Sequence, residues 1–394
     1  MKSLLTPENT LPEDGCAGTL VGRVQLPEGP AVVAIRGDGV YDVTAEAPTM
    51  STLLDAADPV AVVRAGLATA NRIGDLADIL ANSAHDANDP SKPWFLCPID
   101  LQAVKASGVT FVASLLERVI EEQARGDAGK AEAVRQTMVD AIGTDLSEIE
   151  PGSESSARLK DLLIEKGVWS QYLEVGIGPD AEIFTKGQPM SSLGTGAEIG
   201  ILAASTWNNP EPEIVLAVSS EGKTVGATLG NDVNLRDMEG RSALLLGKAK
   251  DNNASCSIGP FIRLFDETFG IEDVRKAELA MSVEGTDGYR LTGSSSMSKI
   301  SRDPLDLVSQ AIGKNHQYPD GLVLFLGTMF APVEDRDEPG AGFTHKVGDV
   351  VRIETPKLGA LVNRVTTSDK APPWTFGTRA LIRNLAGRGL LSKI

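Results

Sequence analysis

Cysteine is scarce in this chain of 394 residues: Cys16, Cys97 and Cys256 are the full set. Three scattered thiols exclude a disulfide framework and a zinc knuckle, and they read as buried and reduced. Histidine is equally sparse. His85, His316 and His345 lie far apart, and none has the spacing of a metal ligand pair. No cysteine has a histidine close in sequence, which argues against a Cys–His nucleophile. Basic residues are in deficit, 37 against 54 acidic ones, for a net charge of -17. Nucleic acid needs a basic surface, so it is excluded as a partner. No apolar run approaches the length of a membrane span, and Met1 to Thr10 carries one lysine without the apolar core of a secretory leader. A soluble cytoplasmic protein with no membrane partner is expected. The run Gly194-Thr195-Gly196 lacks the Gly-Lys-Ser/Thr of a phosphate loop, which excludes nucleotide binding there.

Aromatics make up 5%, while glycine occurs 40 times. That combination favours tight turns and strands over a helical bundle. A hydrophobic fraction of 42% suffices for a sizeable core, in one large domain or two. Residues 16–66 alternate apolar and polar in three short runs, the pattern of a β-meander. Met50 to Asn82 reads as helix with Ser51 as N-cap. Phe95 to Asp100 reads as a strand, and Phe111 to Asp161 mostly as helix. From Tyr172 onward the chain is dense in strands. Ile214–Val218 and Gly321–Leu326 are the clearest, and Leu279–Val283 is weaker because its residues also suit a helix. Ala331 to Gly340 reads as an acidic loop.

Against this background three carboxylates stand together. Glu211 and Glu213 flank Pro212, and residues two apart in an extended strand face the same way. A neighbouring strand can bring Asp232 to the same point. Three anionic oxygens without histidine or cysteine suit a hard divalent cation such as Mg²⁺. Lys248 follows Gly247 shortly after, and Thr328 follows Gly327 at the end of an apolar strand. A lysine supplies positive charge for an oxyanion, and a hydroxyl at a strand end can hold a carboxylate.

These motifs together resemble the fumarylacetoacetate hydrolase superfamily. The likeness rests on Glu211-Pro212-Glu213, Asn231-Asp232 with Arg236-Asp237, Gly247-Lys248, Ile258-Gly259-Pro260 and Gly327-Thr328, in order from Ile183 to Arg364. Phe184-Thr185-Lys186 is similar to that family's Phe-x-Lys-Pro, with Gly187 in place of the proline. The resemblance implies an α+β, mostly β architecture: a β-roll catalytic domain over 96–394, a smaller mixed α/β N-terminal domain over 1–95, and a helical insertion near 115–165. It implies Mg²⁺ or Mn²⁺ held by Glu211, Glu213 and Asp232, a 2-oxo acid as ligand, and a homodimer or higher homo-oligomer. Hydrolytic members carry an Asn-Tyr-x-x-His-x-x-Glu segment. Its counterpart here, Thr110 to Glu117, keeps the glutamate and has Ser114 where the histidine stands. Loss of that base weakens the case for C–C bond hydrolysis.

Asp100-Leu101-Gln102, Ser205 to Pro210, Lys250 to Ser255 and Ala371 to Thr378 resemble a narrower branch, the 2-keto-3-deoxy-pentonate dehydratases. That resemblance implies a hydro-lyase of pentose catabolism. Its substrate would be 2-keto-3-deoxy-D-xylonate or the L-arabinonate isomer, and its product 2-oxoglutarate semialdehyde, formed through a metal-stabilised enolate. Glu117 is then expected to move protons and Lys248 to hold the developing charge. Thr328, Lys186 and Ser114 are expected to bind substrate, and Arg236 to steady Asp232 from behind. The rival activity is hydrolysis of acylpyruvates or other 2,4-diketo acids, and a non-catalytic oxo-acid binder is the rival of a different class.

Overall fold

The computed structural model describes residues 1–131, 133, 149–165, 167, 169–330, 332 and 334–394. Two open sheets dominate it. The larger has eleven strands and the smaller five. The strand Pro212–Val218 shows why its sequence is an unbroken apolar run. Ile214, Leu216 and Val218 face one core, shared with Leu279, Met281, Val283, Val351 and Ile353 of the smaller sheet. Val215 and Ala217 face the other, shared with Met50, Leu53, Val60 and Val63 of the N-terminal helices. A strand covered on both faces has no polar side to show.

The expected meander is present as Leu20–Leu26, Gly29–Arg36 and Gly39–Asp42. The single helix expected over 50–82 is instead three helices and a strand. Met50–Leu54 is capped by Thr49 rather than Ser51. Pro59–Leu67 starts afresh at the Asp58 cap and Pro59. Asn71–Gly74 then pairs with Gly39–Asp42, and Leu76–Asn82 closes the region. Proline and the capping aspartate end one helix and begin another, which periodicity alone does not show. The N-terminal strands are continuous with the large sheet across the division expected at residue 95: Leu20 pairs Arg263 and Val21 pairs Ile262.

Two helices in the span of the expected insertion, Val112–Gln123 and Glu154–Glu165, and a third beyond it, Gln171–Ile177, pack around Leu115, Val119, Leu159, Leu163, Leu173 and Ile177. Residues 134–148, in the middle of the expected insertion, lie outside the described residues, as do Ala331 and Val333 of the acidic loop. Among the described residues, no helix is long and apolar enough to cross a membrane.

Candidate metal and catalytic site

The hairpin of Pro212–Val218 and Thr224–Asp232 sets Pro212 opposite Asn231 and Glu213 opposite Gly230. The Asp232 amide donates to the Glu211 carbonyl at 3.1 Å, and the Glu211 amide donates to Asn231 Oδ1 at 3.1 Å. These bonds fix the backbone so that one oxygen each from Glu211, Glu213 and Asp232 lies within 4.8 Å of the others, all three residues being buried. The grouping read from the sequence is therefore present in space.

The three carboxylates are neutralised unequally. Asp232 Oδ1 is 2.8 Å from Lys186 Nζ, and Asp232 Oδ2 is 3.1 Å from Lys250 Nζ. Burial alone would push Asp232 up, but these two lysines outweigh it and hold the acid below its usual range. Glu211 is bound through one oxygen to Lys250 at 3.1 Å and through the other to Arg118 at 3.0 Å. Burial still leaves its pKa raised. Glu213 has no basic partner among the described residues. It accepts one hydrogen bond, from the Gly327 amide at 2.6 Å, and burial beside Asp232 and Glu211 drives its pKa well above the carboxylate range.

The donor set fits a divalent cation. Its ligands are all carboxylate oxygens, hard donors of the kind Mg²⁺ takes. Asp232 Oδ1 is buried and, despite the nearby Lys186, lacks a well-aligned hydrogen bond. Seven carboxylates (Glu117, Glu121, Glu182, Glu211, Glu213, Asp232 and Glu239) stand among four cations (Arg118, Lys186, Arg236 and Lys250). Such an excess of negative charge is costly inside a protein unless a cation or protons offset it.

Several sequence expectations change here. Lys248 is exposed and does not line the cavity beside the triad; Lys250 does. Both lie on the short helix Leu246–Lys250, where residues two apart point to nearly opposite sides, so only one can face inward. Buried Lys250 is held charged by Asp232, Glu211 and Glu239, which outweigh the cost of its burial. Lys186 is fully buried and bonds the Val233 and Lys250 carbonyls at 3.2 and 3.0 Å besides Asp232. It therefore steadies Asp232, and it does not line the cavity. Arg236, expected behind Asp232, makes no contact with it. It pairs with Glu117 at 2.9 Å and Glu121 at 2.6 Å, and stacks 4.3 Å from the Trp207 ring. Glu117 is thereby turned to Arg236 and does not line the cavity. Ser114 and Thr328 do line it, although Ser114 Oγ donates to the Phe111 carbonyl and Thr328 Oγ1 accepts from the Phe330 amide.

Besides Lys250, three charged lining residues were missed. Glu182 lies on the strand Glu182–Gly187 with its carboxylate close over Gly108, a position a larger residue would block. Burial and the nearby Glu239 charge raise Glu182 to about 7, against the pull of Arg118 and Lys250. Period two alone could have found it, since Glu182, Phe184 and Lys186 share one strand face. Arg118 shares a helix face with Ser114, four residues earlier, and so was within reach of the same logic. Glu239 pairs with Arg118 at 2.7 Å and Lys250 at 3.1 Å; no sequence signal marked it.

The histidines stand elsewhere. His345 is buried against Asp349, with Nδ1 3.1 Å from its Oδ2, and burial lowers its pKa. His85 lies 3.0 Å from Arg364. Burial raises Cys97 and Cys256 to about 12, which leaves both thiols protonated.

Residues 170–366, half of the chain, match the family described as fumarylacetoacetate (FAA) hydrolase C-terminal. The chain belongs to the fumarylacetoacetate hydrolase family. It is 26% identical over 337 residues to a probable 2-keto-3-deoxyxylonate dehydratase of Haloferax volcanii, a match covering 85% of this chain and 95% of that protein. It is 29% identical over 184 residues to a 2-dehydro-3-deoxy-D-arabinonate dehydratase of Saccharolobus solfataricus, covering 47% of this chain and 58% of that one. A solved 2-keto-3-deoxy-D-arabinonate dehydratase complexed with magnesium and 2,5-dioxopentanoate superposes with a TM-score of 0.60 at 20% identity, over 88% of this chain and 99% of that one. The fumarylacetoacetate hydrolase of Exiguobacterium antarcticum superposes at 0.52 with 16% identity, over 89% and 99%. The strand-rich α+β fold is thus that of the fumarylacetoacetate hydrolase family.

Proposed function

We propose that this family member is a hydro-lyase that dehydrates a 2-keto-3-deoxy-pentonate to 2-oxoglutarate semialdehyde with Mg²⁺ or Mn²⁺ bound. The observation that carries the reading is one cavity in which a further carboxyl, Glu182, and the buried Lys250 stand beside the carboxylate triad. Glu211, Glu213 and Asp232 would hold the ion. When bound, it supplies Lewis acidity toward the carboxylate and keto oxygens of a 2-oxo acid.

The chain's own groups do the rest. Glu182 is poised to take the C3 proton and give it back to the departing C4 hydroxyl, so that water leaves and a C3–C4 double bond forms. Removal of one C5 proton and of the C5 hydroxyl proton, with return of one proton each to C3 and C4, converts the allylic alcohol to the aldehyde with no further loss of atoms. Lys250 stays protonated and offsets the negative charge that develops on the oxo acid. Thr328 and Ser114 lie where a substrate's polar groups can reach them. Once C2 is a ketone and C3 a methylene, D-xylonate and D-arabinonate skeletons become one compound, because C4 alone keeps a stereocentre. The name of the Saccharolobus solfataricus relative, which specifies D-arabinonate, therefore favours the D series over L-arabinonate.

Hydrolysis of 2,4-diketo acids is disfavoured because no histidine lines the cavity among the described residues. Incubating the protein and Mg²⁺ with 2-keto-3-deoxy-D-xylonate should yield a product lighter by one water by mass spectrometry. Cleavage of acylpyruvate under the same conditions, with no dehydration, would overturn the proposal. A homo-oligomer and a cytoplasmic location complete the reading, and size-exclusion chromatography with light scattering tests the first.

A further inference from the structure

Three basic side chains touch the carboxylate triad, and they differ in how firmly they are committed. Lys186 has no exposed surface and is shared by one carboxylate and two carbonyls. Lys250 is equally occupied, 3.1 Å from each of Glu211, Asp232 and Glu239. Arg118 is different. It comes from the helix Val112–Gln123, keeps 13% of its side chain exposed, and lines the cavity.

Its two ends are also unequal. Nη1 is anchored by Glu121 and Glu239, each at 2.7 Å. Nη2 makes one hydrogen bond among the described residues, to Glu211 Oε1 at 3.0 Å. Every carboxylate that Arg118 touches has a second cation. Glu121 also binds Arg236, while Glu239 and Glu211 also bind Lys250. Arg118 can therefore release Glu211 without stranding a buried charge, and Nη1 keeps the guanidinium in place when it does.

We propose that Arg118 is a positioning residue that neutralises Glu211 until a divalent ion takes it over, and then turns its freed Nη2 edge to the anionic end of a 2-oxo acid. The inference rests on the metal reading above. It makes two binding events depend on one side chain in opposite senses. Arg118 competes with the ion, because both are cations seeking the same carboxylate. It assists the oxo acid, because a guanidinium fork matches a carboxylate in shape and charge. The ion therefore binds before the acid.

The test is titration calorimetry on the metal-stripped full chain. MgCl₂ is titrated first, and then oxalate into the Mg²⁺-saturated protein, for wild type, R118Q and R118K. R118Q should bind Mg²⁺ about three- to tenfold tighter, since a competing charge is gone. It should bind oxalate at least about tenfold more weakly. R118K keeps the charge but loses the fork, so it should hold Mg²⁺ within about twofold of wild type and still weaken oxalate. R118K carries the test alone if R118Q does not fold. Unchanged oxalate affinity in R118K, or weaker Mg²⁺ binding in a folded R118Q, would overturn the inference and leave the metal reading intact. A wild type that takes up no Mg²⁺ would overturn the metal reading itself.

Discussion

Lys186 Nζ lies 2.8 Å from Asp232 Oδ1, with no solvent reaching the lysine. The pair spans two elements, the strands Glu182–Gly187 and Thr224–Asp232, and ties one wall of the cavity to the ligand hairpin. Removing Lys186 would leave Asp232 with Lys250 as its one cation among the described residues and take a buried donor from the Val233 and Lys250 carbonyls. K186M should therefore cost about 3–5 kcal/mol of stability, measured by denaturant unfolding of metal-free protein. A change within experimental error would show that Lys250 alone suffices for Asp232.

The opposite sign holds for Glu213. Burial and two neighbouring carboxylates make its charge unfavourable in the metal-free fold. E213Q should melt at or above the wild-type temperature without metal. Wild type should gain in melting temperature as Mg²⁺ is added, and E213Q should not. A calorimetric scan with and without Mg²⁺ checks both halves, and an equal Mg²⁺ shift in the two proteins would refute the role of Glu213.

Glu182 carries a pH signature. Its pKa is about 7 in the fold and about 4.3 in an unfolded chain. Because the folded value is the higher, its contribution to stability is fully present below about 4.3 and is lost as pH rises through about 7. E182Q should flatten that fall in metal-free protein, as read by unfolding at a series of pH values. The same variant should lower kcat at least about a hundredfold and slow exchange of the C3 protons in D₂O. NMR detection of wild-type exchange in E182Q would remove Glu182 from the proton transfer.

Gly327 supplies the hydrogen bond to Glu213 from a backbone at φ +86°, where a Cβ would fall 2.1 Å from Thr110 Oγ1. Glycine is required by both conformation and space. G327A should destabilise the protein by about 1–3 kcal/mol and weaken Mg²⁺ binding through the displaced amide. Titration of the folded variant with unchanged Mg²⁺ affinity would contradict the link between that amide and the ligand triad.

The parts of the site that a strand's two-residue period governs were legible from the chain alone. Glu211 and Glu213 sit one step apart on one extended segment, and their partner Asp232 follows from the hairpin. The same rule, carried two residues back from Phe184, leads to Glu182. What stayed hidden depends on helix phase and on which charge wins a crowded contest. Lys248 and Lys250 look alike in sequence, and only the direction of one helical turn decides that Lys250 faces the carboxylates. Glu117 and Arg118 are adjacent, yet Arg236 claims the first and the cavity receives the second. Arg236 comes from a segment more than a hundred residues away, so no local pattern announces that pairing. The helix boundaries around Thr49, Asp58 and Pro59 failed for a simpler reason: apolar periodicity runs through a break that capping chemistry makes.

The order of strands in the large sheet has a consequence for anyone trimming this protein. Leu20–Leu26 borders Cys256–Leu264, whose other edge pairs with the strand ending in Asp232. A chain shortened to the residues that carry the ligands would leave Cys256–Leu264 with a raw, apolar margin one strand from the triad. Such a fragment invites edge-to-edge self-association instead of simply losing an accessory piece.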